Sequence, residues 1–579
     1  GVSLELGAYI GLDGPTAPWV ASGEITGRVT RRYSHLRPIK SIKAALKSPY
    51  KNIIVPMYKR RLAKKLDALN AVRLAGLTDE ELKSKIAELM GDFYKDFEVG
   101  ESIIITDSIG PSFNFGGGVG LSQLISAQAR FFGSQMILSR LHIHRRDDKT
   151  IQIYRDFGNI GQLGVSLGVR AFIPILTISA KVNKGIGRTK FYSLDLDPNP
   201  KENKNILRNI QSLRALLFHN DMDLLEHYGK PFLIEHKIRE GGVDLKFLLW
   251  RYKTLNTTDL ISVTHPEGAK KYFYRQLSGH RSGRNPLAFT LDIANGLLNT
   301  YVGNQIALAD VSNGNPGDTF MGKSKAREVN FEGEILNYDS SSKTGEIREP
   351  FISISYLWKG WTISKKKVLK LIADLNSDYN FPLYTPESLN TTKSLQLYSL
   401  FLNIYFYKKA IGELSKVEDK KLLGIYRRYA KAVDRTTHGG SYFPGDPIGA
   451  GSYREVYTRE EQIRDELSQL KRLQRKYNKW LKRREPAKLA KYGVKIAANL
   501  EEDLYFDGVA ESVGGKQNLF VTSQLRGFRK GDENGDTPLL SHTLGEFGDR
   551  KFMGPLADMK GQIGMTDAEF FAYWMMDKL

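Results

Sequence analysis

Hydrophobic positions repeat with a period of two over much of the chain. Alternate residues are apolar in ILSRLHIHR (137–145) and in TIQIYRDF (150–157), a pattern typical of half-buried β-strands. The four residues between these segments favour a hairpin. Two longer strands are predicted over 159–172 and 175–196, and both contain several glycines. Because glycine inside a strand marks a bulge, a bend or a close backbone approach, we expect a curved antiparallel sheet.

A second period, near 3.6 residues, predicts helices that interrupt the strands. A capping box at Thr78 and Glu81 marks the start of one helix, and a second at Thr458 and Glu461 marks the start of the longest, which should stop at Pro486. A further helix is predicted over 206–228 and a shorter one over 366–376.

These two patterns predict a β-rich α+β fold: a large antiparallel, curved sheet or barrel with helical insertions. The expected division is framework strands over 1–40, a helical insertion over 41–99, the main β framework over 100–407 with a helix at 203–228, a helical region over 408–503 with a Gly/Pro linker at 434–454, and a C-terminal hairpin and helix over 504–579.

Cysteine is absent from all 579 residues, which excludes disulfides, thiolate catalysis and cysteine-ligated metal centres. The lack of cysteine and an opening residue other than methionine fit an exported bacterial protein, so we expect export. No apolar stretch reaches the roughly 18–20 residues that a membrane-spanning helix needs. Helical membrane proteins are therefore excluded, whereas outer-membrane strands remain compatible with the pattern.

The net charge of +21 favours an anionic partner, since Coulomb attraction and counterion release do not depend on which polyanion is met. Much of the charge is concentrated in two predicted helices, and we take their cations as candidate polyanion-binding residues. A solvated helix face is the alternative interpretation. The candidates are Lys59, Arg60, Arg61, Lys64, Lys65, Lys471, Arg472, Arg475, Lys476, Lys479, Lys482, Arg483 and Arg484.

Residues 317–324 match the pattern of a phosphate-binding loop, G-x-x-x-x-G-K-[ST]. In that interpretation Gly317 and Gly322 form the loop, Lys323 contacts phosphate and Ser324 binds Mg²⁺. The context is unfavourable because a polar turn precedes the match and a strand-like segment follows it. A Gly/Lys hairpin turn is the preferred interpretation.

His142 and His144 project from one face of a predicted strand, as two metal ligands would. We find no third ligand, and we therefore expect an exposed sheet face at these residues. We predict no catalytic residue, no metal site and no cofactor.

Together these observations favour a non-enzymatic exported cell-envelope protein, acting as a scaffold or channel component at the outer membrane of a Gram-negative bacterium. Periplasm and cell surface are the alternative locations. One alternative function is a soluble exported protein that binds an anionic polymer or lipid through its basic helices, and another is a P-loop nucleotide hydrolase. The expected partners are anionic lipid or polysaccharide of the envelope, with other envelope proteins at the helix over 459–485; nucleic acid stays open.

Overall fold

The fold is taken from a computed structural model of the chain. It describes residues 2–13, 19–36, 55–67, 77–120, 126–170, 174–197, 205–220, 222, 225–226, 230–247, 250–284, 323–379, 394–407, 409–431, 436–438, 454–456, 459–529, 539–550, 554–556 and 559.

One large antiparallel sheet organises the protein. Its fourteen strands pair in the order β1 to β12, β15 and β16, each with its neighbours in the chain. The strands are β1 Val2–Asp13, β2 Trp19–Leu36, β3 Ser102–Gly120, β4 Ser126–Arg145, β5 Thr150–Arg170, β6 Pro174–Asp195, β7 Phe232–Phe247, β8 Trp250–Thr264, β9 Lys270–Arg284, β10 Lys323–Asp339, β11 Thr344–Ile363, β12 Leu395–Phe406, β15 Leu519–Arg529 and β16 Leu539–Gly548. A separate two-stranded ribbon joins β13 Thr436–His438 to β14 Arg454–Val456.

The helices lie between strands in the chain. They are α1 Val55–Leu66, α2 Asp79–Asp96, α3 Ile206–His219, α4 Lys365–Tyr379, α5 Ala410–Leu414, α6 Asp419–Tyr429, α7 Arg459–Lys482, α8 Pro486–Asp503 and α9 Phe506–Ser512. The predicted β-rich α+β fold, with one large antiparallel sheet and helical insertions, is therefore confirmed.

Several local predictions are confirmed as well. Strands β4 and β5 form the hairpin whose turn was predicted at 146–149. At the start of α2, the Thr78 backbone donates to the Glu81 carboxylate at 2.8 Å, and the Thr78 hydroxyl accepts from the Glu81 backbone at 3.3 Å. The longest helix, α7, stops before Pro486, which occupies the first turn of α8.

One helix boundary is wrong. Helix α3 ends at His219, well before the predicted stop at residue 228. Asn220 caps it in the left-handed conformation (φ 58°), and its backbone N–H donates to Leu216 at 3.0 Å. Asparagine tolerates this conformation, so no glycine is needed to end the helix. Thr458 of the second capping box, and the turn at 532–536 and the final helix after residue 565 that are predicted within the C-terminal hairpin and helix, lie outside the described residues.

The register gives the sheet two chemically distinct faces. We call the face with Leu163 and Val182 the apolar face, and the face with Arg140 and Asp156 the polar face. Helices α1 to α3 cover one end of the apolar face on β3 to β6, over Ile143 and its neighbours. Helices α4 to α9 form a second core with β10, β11, β12 and β15.

The row of directly paired residues that contains Leu163 shows that the helices cover only part of the apolar face. It continues through the paired strands to Val329, Ile354 and Ile404. These last three side chains are at most 6% exposed in the second core, whereas Leu163 is 55% exposed. The middle of β2 to β6 is thus the uncovered part of the apolar face.

Candidate functional site

The exposed large apolar side chains of the described strands all lie on the apolar face of β2 to β7. We call this set the apolar band. It comprises Ile25, Val29, Ile109, Phe115, Phe131, Ile137, Phe157, Leu163, Val165, Leu167, Ile178, Val182, Ile186 and Val243, with exposures of 40–59%. Water-soluble monomers rarely expose a contiguous apolar patch beyond roughly 300–600 Å². With strands about 4.8 Å apart and about 3.3 Å per residue, β2 to β6 from Phe157 to Leu167 cover roughly 700–800 Å².

The polar face carries buried charge instead. Arg140 Nε donates to Asp156 Oδ2 at 2.8 Å, and their side chains are 2% and 5% exposed. Farther across the sheet, His236 Nδ1 lies 3.7 Å from Asp259 Oδ2, and both residues are buried. These two buried pairs are therefore less exposed than the side chains of the apolar band, the reverse of the usual order in a water-soluble protein.

The two histidines of β4 belong to this polar face, and the prediction of an exposed position for them is wrong. His142 is 0% exposed and its ring lies 5.1 Å from that of Tyr154. His144 is 3% exposed, and its Nδ1 lies 2.7 Å from the Ser102 hydroxyl. Neighbouring strands on both sides bury these rings, which a local sequence pattern does not reveal.

The row of paired residues that contains Phe157 forms the edge of the apolar band toward helices α1 to α3, and it carries charges on both sides of Phe157. Arg31 Nε donates to Asp107 Oδ1 at 2.6 Å on β2 and β3. On the same row, Arg188 Nη2 pairs with Glu235 Oε1 at 2.7 Å on β6 and β7. The band therefore ends at a polar boundary parallel to the helix-covered end.

Cations interrupt the apolar band on β6 and β7, where Lys184 lies between Val182 and Ile186. Lys184, Lys237 and Arg239 are exposed there on the apolar face.

Among the described helices, none combines the length and apolarity required to cross a membrane.

The first basic helix, α1, contributes fewer surface cations than the sequence predicts. Lys59 is 5% exposed and its amine donates to the Asn220 side-chain oxygen. Burial, reinforced by the charges of Arg31 and Arg60, lowers the pKa of Lys59 to about 8. Its position was readable in principle, because Val55, Tyr58, Leu62 and Leu66 form the buried stripe and residue 59 lies beside it.

The other candidates on α1 are more accessible. Arg60, Arg61 and Lys64 are exposed, and Lys65 is half-buried. Arg61 Nη2 and Lys65 Nζ lie 3.1 Å and 2.6 Å from the Asp96 carboxylate. The cations of α1 thus partly serve to join it to α2.

The second basic helix presents its cations differently. Helix α7 buries Leu470, Leu473 and Tyr477 in the second core. Lys471 is half-buried and pairs with Asp419 at 2.9 Å. The remaining predicted cations are exposed: Arg472, Arg475, Lys476, Lys479, Lys482, Arg483 and Arg484.

Helix α8 continues this charged surface, which sequence reasoning missed. Lys488, Lys491 and Lys495 are exposed on α8 at spacings of three and four residues. That spacing on one helix face was the available signal. We call the exposed cations of residues 472–484 together with these three lysines the cationic face.

Aromatic rings sit beneath the cationic face where the two helices meet. Lys488 Nζ lies 3.8 Å from the centre of the Trp480 ring, and Lys479 and Arg483 lie 5.1 Å and 5.2 Å from it. Lys476 lies 5.6 Å from the Tyr492 ring. The contacts of Lys488 with Trp480 and of Lys476 with Tyr492 tie α7 to α8.

The phosphate-loop match falls at the edge of the described chain. Lys323 and Ser324 begin strand β10, and Gly317 and Gly322 lie outside the described residues. A phosphate-binding loop leads into a helix whose N-terminal amides cradle the phosphates. A strand at Lys323 does not provide that helix.

No cluster of three or more potential metal-ligating side chains occurs among the residues that the structure describes. Comparisons of the chain with protein-family models, curated proteins and solved structures gave no match.

Proposed function

We propose that the chain is a non-enzymatic, exported protein of the cell envelope whose strands face lipid in the outer membrane of a Gram-negative bacterium. The observation that carries this proposal is the exposed apolar band on one face of the sheet, opposite the buried pairs Arg140–Asp156 and His236–Asp259 on the other face. Strands of outer-membrane proteins alternate in this way, apolar toward lipid and polar toward the interior.

The energetics support hydrocarbon as the environment of the band. The footprint of roughly 700–800 Å² also contains polar side chains such as Asn159, Gln135 and Lys184, so 25 cal/mol per Å² gives about 18–20 kcal/mol as an upper bound for its removal from water. Native proteins have a net stability of only about 5–15 kcal/mol. Burial of the apolar part of this footprint is therefore a large contribution on the scale of the stability of a domain.

The dimensions also support it. Phe157 and Leu167 are the outermost exposed apolar side chains that the structure describes on β5, with Asn159 and Gly161 also on this face between them. The ten steps between them extend about 33 Å along the strand, which at a tilt of 35–45° spans about 25 Å, the height of the lipid-facing band in outer-membrane proteins. Strand β5, with 21 residues, is long enough to continue beyond the bilayer, where α1 to α3 cover its end.

In this proposal the protein acts as a scaffold or as a channel component. The polar face would line the interior, where its buried charge pairs, such as Arg140 with Asp156, are kept away from lipid. The band would anchor the sheet.

The first test is fractionation with and without detergent. We expect the folded chain to stay with membranes and to require detergent for extraction; a chain that is monodisperse in buffer alone would refute the proposal. Because the chain has no cysteine, single-cysteine variants then give a matched comparison. A polarity-sensitive dye at Leu163→Cys should report hydrocarbon and be quenched by bromine on lipid tails, while the same dye at Gln162→Cys, on the opposite face, should not.

The alternative of a soluble polyanion-binding protein is favoured by the cationic face, and the detergent test separates it from our proposal. The nucleotide-hydrolase alternative gains no support, since Lys323 begins a strand.

A further inference from the structure

We propose that the cationic face of α7 and α8 rests on the anionic phosphodiester headgroups of the bilayer in which the band is embedded. This inference rests on the proposed function and names the partner of a second surface. We call α7 and α8, with the turn that joins them, the helical hairpin. Three observations carry the inference: the charge of this hairpin, its place on the sheet, and the apolar side chains at its tip.

The charge of the hairpin is almost uncompensated. Residues 467–500 contain eleven Lys and Arg and a single acidic residue, Glu485. Within the described part of the chain, the ion pairs in this segment are Lys471 with Asp419 and Lys488 with Glu485. Like charges three or four residues apart on a helix destabilise it by a few tenths of a kcal/mol per pair. An anionic partner would relieve this repulsion, as long as the partner lies within a Debye length.

The hairpin sits on the same side of the sheet as the apolar band. Helix α8 packs on the apolar face of β10 and β11, where Gly493 lies against Phe331 and Ile352. At its far end, the buried Glu501 accepts from Arg327 Nη2 at 3.1 Å and from the Tyr356 hydroxyl at 2.8 Å. Helix α7 packs on α8, through contacts such as Lys488 over Trp480. The exposed cations of α7 therefore lie on the outer layer of the side that the band would turn toward lipid.

The tip of the hairpin offers apolar groups among the cations. Leu481 is 44% exposed, and Trp480 beside it is half-buried. Lysine and arginine mixed with exposed leucine and tryptophan are the composition of helices that lie in the headgroup region. A nucleic acid or a polysaccharide would use the cations but would gain nothing from Leu481.

The inference can be tested in the full chain, reconstituted into bilayers of phosphatidylcholine alone or mixed with phosphatidylglycerol. A polarity-sensitive dye at Leu481→Cys is the reporter. We expect a blue shift of its emission and quenching by a headgroup-linked nitroxide only when phosphatidylglycerol is present. The shift should disappear at about 1 M salt, where the Debye length is about 3 Å.

Two charge-reversal variants provide the comparison. Combining Arg475→Glu, Lys479→Glu and Lys491→Glu should abolish the shift. Combining Lys366→Glu, Lys367→Glu and Lys370→Glu, which reverses three exposed lysines of α4, should leave it intact. An equal loss in both variants would overturn the inference, because net charge rather than this surface would then decide the contact.

A second label separates this inference from the proposed function. If the dye at Leu163→Cys reports hydrocarbon but the dye at Leu481→Cys ignores phosphatidylglycerol, the cationic face has another role and the proposed function stands. If only the Leu481 dye responds, the chain is peripheral and the proposed function fails. A response of the Leu481 dye to double-stranded DNA or heparin but not to anionic bilayers would also overturn the inference.

Discussion

An arginine at Leu163 would decide which solvent the apolar band meets. Leu163 is 55% exposed and lies near the middle of the exposed apolar run of β5. If the band faces water, a surface Leu163→Arg change should alter the free energy of unfolding by less than about 0.5 kcal/mol. If it faces lipid near the bilayer midplane, the change should cost about 2–4 kcal/mol.

That difference is large in measurable terms. A cost of about 2–4 kcal/mol lowers the ratio of folded to unfolded protein roughly 30-fold to 900-fold. The assay is reversible urea unfolding in the presence of bilayers, with the free energy of unfolding extrapolated to zero denaturant. The matched control is Gln162→Arg. Gln162 precedes Leu163 on β5, and its half-buried side chain lies on the opposite, polar face.

We expect Gln162→Arg to lower the free energy of unfolding by less than half of the amount that Leu163→Arg does. Equal and small losses in both variants would refute a lipid-facing band. A larger loss for Gln162→Arg than for Leu163→Arg would refute the assignment of the two faces.

Three further predictions concern stability, all measured as free energies of unfolding. Gly110→Ala should cost more than about 2 kcal/mol, because the added Cβ would lie 1.8 Å from the Gln135 carbonyl oxygen. The control Gly91→Ala, whose Cβ would have nothing within 4 Å, should stabilise α2 by up to about 1 kcal/mol. Equal effects of the two changes would contradict this. Glu501→Ala should cost about 2–3 kcal/mol, because it removes the buried carboxylate that accepts from Arg327 and Tyr356 and leaves Arg327 paired with the exposed Glu502. Glu502→Ala, whose side chain is 55% exposed, should cost under about 1 kcal/mol. The folded-state pKa of Lys59, about 8, lies below its unfolded value of about 10.5, so the unfolded chain binds more protons between these pH values and stability should rise as pH increases through this window. That rise should be absent in Lys59→Met, and an identical pH profile in the variant would refute the role of Lys59.

The strands could be predicted because their signal is local. A period of two is visible in any half-buried strand, and the turn at 146–149 and the capping box at Thr78 are likewise set by neighbouring residues. The sequence predicts that successive strands pair antiparallel, but not which residues are paired across long connections.

Exposure could not be predicted in the same way. Leu163 and Val329 are similar side chains on one face and one row of the sheet, yet one is 55% exposed and the other 6%. The difference comes from the helices of the second core, such as α8, which packs on β10 although it lies more than a hundred positions farther along the chain. The same limit explains why His142 was expected at the surface and is buried.

The sequence predicts how many cations each helix carries, but not which of them lie exposed on a common surface. The cations of α1 and α7 look alike in the sequence, but Lys59 is buried and Lys65 is tied to Asp96. Helix α7 buries its apolar stripe against its own chain and leaves its cations outside. The addition of Lys488, Lys491 and Lys495 follows from the pairing of α7 with α8, which only the fold reveals.

A protein partner is the strongest competitor to lipid for the apolar band, because roughly 700–800 Å² per side is the size of a standard protein interface. Composition distinguishes the two. The cores of protein interfaces are enriched in aromatic residues, methionine and arginine. The band has three phenylalanines but is otherwise isoleucine, valine and leucine, with no tyrosine, tryptophan, methionine or arginine, and its rows include small residues such as Gly133 and Ala129. Such side chains offer area without hydrogen-bonding groups to fix the orientation of a partner, a property that suits fluid hydrocarbon and gives a protein partner little specificity.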